Sequence, residues 1–198
     1  MKTTTCSSTA SAAVRWRSRI ATCCLAALVP AGSAHAADGF APSGLFVQAG
    51  AAEQAQMLVF GAVWDWRWQK PLSGGLLTGY WEISFGRWSS QADPAGNSSA
   101  WVSQVGVTPV LRWHPGVGTA PWFVEVGIGA NVLTPIYRSR DKRFSTAFNF
   151  GDHLAVGWHL GAAQQHEISL RVQHFSNAGI KHPNPGENFL QLRYVTRY

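Results

Sequence analysis

Residues 122–132 read Trp-Phe-Val-Glu-Val-Gly-Ile-Gly-Ala-Asn-Val, and the parity of this run restricts the fold more than any other feature. In an extended strand alternate residues share a face. Trp122, Val124, Val126, Ile128, Ala130 and Val132 then line one side, against Glu125, Gly127, Gly129 and Asn131 on the other. The pattern recurs in stretches of about ten residues, the length a tilted strand needs to cross a bilayer. Eight stretches carry it: 43–53, 55–67, 76–88, 101–113, 121–133, 146–160, one opening at 166, and 188–198. The expected fold is all-β, an eight-stranded antiparallel outer-membrane β-barrel. In 146–160, Asp152 falls on the face of Phe150 and Leu154, so a bulge or a shifted boundary is expected there.

Alternation alone also suits a soluble sandwich or lipocalin-like barrel, with the apolar face turned inward. The aromatic residues favour the membrane. The chain has ten Trp, a residue suited to the membrane interface, where its ring is apolar and its N–H is wet. Trp64, Trp66, Trp88, Trp101, Trp113, Trp122, Trp158 and Tyr198 fall near strand ends. If the first strand runs outward, the links near 68–75, 114–120 and 161–165 are periplasmic. Those near 89–100, 134–145 and 177–188 are external and longer.

Residues 1–36 read as a cleaved signal peptide, leaving 37–198 as a single transmembrane barrel domain. Lys2, Arg15, Arg17 and Arg19 precede an apolar run from Ile20 to Val29, and Ala34-His35-Ala36 has the small-x-small form of a cleavage site. All three cysteines, Cys6, Cys23 and Cys24, lie in this segment, so no disulfide is expected after cleavage. Four of the sixteen Lys and Arg lie there too and no acid does, leaving twelve cations against ten acids, a net +2. That balance points away from nucleic acid. No later run is long and apolar enough for a transmembrane helix.

The stretch 166–177 reads His-Glu-Ile-Ser-Leu-Arg-Val-Gln-His-Phe-Ser-Asn. Ile168, Leu170 and Val172 share a face that His174 and Ser176 continue at the outer end. A base and a hydroxyl two residues apart can touch, and here they stand where lipid would be. Serine needs a base, and the base needs a third group to hold its tautomer. Glu187, at the start of the next strand, is the expected third member. Asn188 is its rival, because its parity matches Leu190. The intervening loop offers oxyanion donors at the Gly179 N–H and the Asn184 side chain. His182 is a competing base without a hydroxyl partner at that spacing.

The run His174-Phe175-Ser176-Asn177-Ala178-Gly179, followed by Pro183-Asn184-Pro185-Gly186-Glu187 in a chain ending at Tyr198, resembles the lipid A 3-O-deacylase family (PagL type). The resemblance is strongest over 166–198. It implies an eight-stranded barrel that hydrolyses the ester-linked acyl chain at the 3 position of lipid A (lipopolysaccharide). It implies Ser176 as nucleophile, His174 as base and Glu187 as acid, with Gly179 and Asn184 supporting the oxyanion and Asn177 in a supporting role. One departure is that Glu187 follows Ser176 more closely than the family's acid follows its serine.

Arg138, Arg140, Lys142 and Arg143 cluster in an external link, where they could dock substrate phosphates or serve only as a solvated loop with general affinity for anionic lipid. His153 and His159 lie on one strand, too far apart for a ligand pair, so no metal and no cofactor is expected. The outer membrane is the expected location, and a homodimer is compatible with the pattern. The rival functions are an outer-membrane phospholipase A, which pairs His-x-Ser with an asparagine and calcium, and a non-enzymatic barrel acting as adhesin or structural protein.

Overall fold

The computed structural model describes residues 40–90, 96 and 101–198. The expected signal peptide and most of the 91–100 link lie outside the described residues.

Among the described residues there are nine strands, all but the short β3 following the periodicity closely: β1 (Gly44–Ala51), β2 (Ala55–Asp65), β3 (Lys70–Leu72), β4 (Gly75–Ser90), β5 (Trp101–Pro115), β6 (Trp122–Thr134), β7 (Phe148–Leu160), β8 (His166–Ser176) and β9 (Glu187–Arg197). Eight of them close a barrel: each pairs antiparallel with the next, β2 pairs with β4, and β9 returns to β1. Closure pairs every strand edge, as a segment without water around it requires. The ninth strand, β3, is a short addition that turns back on the foot of β4. Ser73 and Gly74, both at positive φ (48° and 71°), make that two-residue turn.

Side-chain placement settles the question that alternation left open. Large apolar residues face outward and are exposed: Phe60, Phe85, Val126, Ile128, Leu154, Val172 and Leu192. Polar and charged residues are buried inside: Gln48, Glu82, Gln104, Arg112, Glu125, Asn131, Glu167, Arg171, Gln173, Gln191 and Arg193. A barrel in water would reverse this arrangement. Trp113 and Trp122, in contact at 6.0 Å, and Trp158, paired with Trp122, form part of an aromatic belt at the periplasmic rim. Trp88 departs from the expected belt. It has the parity of Glu82 and Ser84, so it points inward and is fully buried.

The lumen is packed in three levels. At the periplasmic level Arg112 bridges Glu125 (2.9 Å) and Glu167 (2.8 Å), Arg171 bridges Glu125 (2.9 Å) and Glu82 (3.3 Å), and Arg193 meets Glu82 (2.9 Å). Arg197 joins Glu167 to Asp65. Tyr80 donates its hydroxyl to Glu125 at 2.9 Å, and the Phe123 ring lies 3.8 Å from the Arg112 guanidinium carbon. An amide level follows, where Gln104 donates to Asn131 (2.8 Å) and Gln191 to Gln173 (2.9 Å). At the outer mouth the Trp88 ring meets Phe175 (4.7 Å), Phe189 (4.8 Å) and Tyr137 (5.5 Å).

No bulge interrupts β7. Its pairing with β6 and β8 is continuous through Asp152. The expected irregularity is absent because the barrel wall itself carries this carboxylate outward.

Because lipid is the solvent at the apolar face, Leu192→Arg near mid-height of β9 is expected to cost about 2–4 kcal/mol of folding free energy in vesicles. A urea titration of vesicle-embedded protein measures it. A cost near zero would mean that this face meets water.

Candidate active site

His174 and Ser176 project outward from the last turn of the apolar face of β8, both partly exposed. The register places Asp152 of β7 on one side of His174 and Asn188 of β9 on the other. Asn188 Oδ1 lies 2.7 Å from His174 Nδ1. With Nδ1 protonated the imidazole donates to that oxygen, leaving Nε2 free as the base, the arrangement that activates a hydroxyl. Gly186 presses on the other edge of the ring. A Cβ built there would stand 2.5 Å from His174 Cε1 and 3.1 Å from Nε2. Its φ of +67° independently favours glycine. Sequence reasoning passed over this residue; the Pro-Gly pair signals a turn, but not contact with the imidazole.

Glu187 is not brought to His174. Strand parity turns it inward, where it is buried: Tyr137 donates to its Oε2 (2.8 Å) and Lys142 to its Oε1 (2.8 Å). Burial, followed by the Glu187 carboxylate, pushes the Tyr137 phenol above its ordinary range, so the hydroxyl stays a donor. Glu187 therefore anchors the 135–147 loop over the mouth, and Asn188 takes the place beside the base. Lys142 is likewise committed to Glu187. Arg140 and Arg143 remain exposed on the same loop, and Arg138 is half-buried, facing Arg143 across a β-bridge.

Asn177 organises the loop above the serine. Its Oδ1 accepts the Gly179 N–H (3.0 Å), and its Nδ2 donates to Ser145 Oγ (3.0 Å), Thr146 Oγ1 (3.2 Å) and Lys181 O (2.8 Å). Its own N–H is held by Asn184 Oδ1 at 3.0 Å, which turns the Asn184 amide nitrogen away as a spare donor. The Gly179 N–H is thus occupied, contrary to the expected oxyanion role. The Ala178 N–H donates to Ser176 Oγ at 3.5 Å, from a residue with a φ of +52°. The positive φ of this residue left no mark in the sequence.

Beside His174 an apolar groove of 710 Å³ runs down the outer wall. Leu111, Val126, Ile128, Leu154 and Val172 line it, with His174 and Asp152 at its outer end and Trp66 among its walls. Its volume falls in the range of small-molecule ligand sites.

Residues 58–197 match the family model described as Lipid A 3-O-deacylase (PagL). The chain belongs to this family. A relative named Lipid A deacylase PagL, from Pseudomonas aeruginosa, is 33% identical over 175 residues, covering 86% of this chain and 92% of that protein. One of the same name from Bordetella bronchiseptica is 42% identical over 97 residues, 49% of this chain and about half (51%) of that protein. A crystal structure of the outer membrane enzyme PagL superposes with a TM-score of 0.66 at 24% identity, over 78% of this chain and 99% of that one. That likeness speaks for the fold, a closed eight-stranded barrel.

Gly186→Ala is expected to leave the barrel folded, as read by heat-modifiable gel mobility, while lowering esterase turnover at least tenfold by displacing the imidazole. Near-normal turnover would show that the ring tolerates displacement.

Proposed function

We propose that the chain hydrolyses the ester-linked acyl chain at position 3 of lipid A in the outer leaflet. The observation that carries this reading is His174 at the end of a lipid-facing apolar groove, with Ser176 two residues on along the same strand face, in a chain of the PagL family. The scissile ester lies where acyl chain meets sugar, which is the level at which an outward nucleophile near the external rim stands.

In the proposed mechanism Ser176 Oγ attacks the ester carbonyl as its proton passes to His174 Nε2. Asn188 holds the tautomer through Nδ1. The Asn184 amide and the Ala178 N–H donate to the tetrahedral oxyanion in this reading. Collapse breaks the bond to the sugar oxygen, which takes the proton from His174 and leaves as a hydroxyl. Water, deprotonated by His174, then releases the fatty acid and restores Ser176. Arg140 and Arg143 supply the exposed charge for the substrate phosphates, with Arg138 beside them.

A phospholipase A reading keeps one supporting observation, the asparagine beside the histidine. The family match favours lipid A. Mass spectrometry of both lipid classes, with and without a chelator, separates the two readings.

Ser176→Ala and His174→Ala are expected to fold and insert, yet leave lipid A fully acylated, with turnover down by at least about 10³-fold. The lipid A mass profile of cells expressing each variant is the readout. Continued deacylation by either variant would remove this mechanism.

A further inference from the structure

Asp152 stands on the lipid face of β7 between Phe150 and Leu154, exposed, with no hydrogen-bond or ion-pair partner among the described residues. A carboxylate so placed is costly and calls for a function. Its direct cross-strand neighbour is His174, and opposed side chains in a ladder stand about 4.5–5.5 Å apart at Cβ. Both residues line the outer end of the groove.

The group that holds the imidazole on the other side, Asn188, is neutral. It can fix the Nδ1 tautomer, but it brings no charge to offset the imidazolium that forms when Ser176 gives up its proton. The acid expected for that task, Glu187, is buried on the far side of the wall, paired with Lys142 and Tyr137. We infer that Asp152 supplies the missing charge: it is a positioning residue that acts through His174, stabilising the imidazolium across the β7–β8 ladder. The tautomer-fixing and charge-supplying roles, which one acid can combine, are divided here between Asn188 and Asp152. This inference rests on the proposed Ser176–His174 chemistry.

The surroundings of His174 leave few competing charges. On its own strand Val172 and Ser176 flank it. Across β9 stands Asn188, and on β7 stands Asp152. The 177–186 loop places Gly186 against the ring, and its titratable groups, Lys181 and His182, are exposed. Lys142 and Glu187 are paired with each other behind the strand.

The test is the pH dependence of kcat/KM for lipid A deacylation by the intact barrel. The neutral imidazole is the active base, so its protonation sets the acidic limb. Removing a neighbouring carboxylate makes protonation harder, which shifts that limb to lower pH. Asp152→Asn and Asp152→Ser are expected to lower the plateau about tenfold or more and to move the limb down by about one pH unit. Asp152→Glu should restore both. Asn188→Asp, which puts a second carboxylate on the ring, should move the limb upward. A folded Asp152→Asn or Asp152→Ser with an unmoved limb overturns the inference, whatever its rate. So does failure of both to fold, which would make Asp152 structural. If the unmodified protein deacylates and Ser176→Ala does not, a negative result at Asp152 leaves the proposed function standing. If the unmodified protein leaves lipid A intact, it is the function that fails.

Discussion

The ion-pair lattice in the lumen is what the rest of the molecule depends on. Arg112, Arg171 and Arg193 interlock with Glu82, Glu125 and Glu167, and Arg197 ties Glu167 to Asp65 at the periplasmic rim. Four guanidinium groups meet four carboxylates, so the interior is close to neutral. A buried charge is tolerable only when paired and hydrogen-bonded, and this lattice pairs each one. It fills much of the lumen with polar side chains, while Trp88, Phe175 and Phe189 close the outer mouth. Most of the large apolar side chains of the strands are thereby left for the outer surface, where lipid replaces water as solvent.

The candidate site inherits its orientation from this division. The parity that sends Arg171 and Gln173 into the lumen sends Val172, His174 and Ser176 outward. That His174 and Ser176 face lipid is therefore a consequence of how the lumen is filled. The aromatic plug of Trp88, Phe175, Phe189 and Tyr137 stiffens the wall behind the pair. Asn177 and Glu187 fasten the 135–147 and 177–186 loops to each other and to the strand ends. The site is thus held by rigid elements below and by a hydrogen-bonded loop above, as a preorganised constellation requires.

Most of the barrel was legible in the sequence because a period of two is a direct readout of which side a residue faces. All eight wall strands lie within a few residues of the periodic stretches. The inward Trp88 follows from the same rule, once parity is given priority over its position near a strand end. That His174 and Ser176 share the outward face was legible for the same reason. Glu187 was not: its chemistry suggested an acid for the base, whereas its parity, one residue from Asn188, sends it inside. Gly186 and Ala178 act through backbone shape and close approach, which residue identity signals weakly. Asp152 did show in the sequence, but as an irregularity. Its meaning depends on the β7–β8 register, which only the folded chain supplies.

The central claim is that β8 turns alternate residues to lipid and to a polar lumen, and a cysteine scan tests it most directly. All three cysteines lie within the first 36 residues, so a chain starting at residue 37 carries none. Single cysteines at 170 to 174, labelled with a fluorophore in vesicles containing nitroxide lipids, report contact with the acyl chains. Strong quenching at 170, 172 and 174 with weak quenching at 171 and 173 is the expected result. The opposite alternation, or none, would contradict the account.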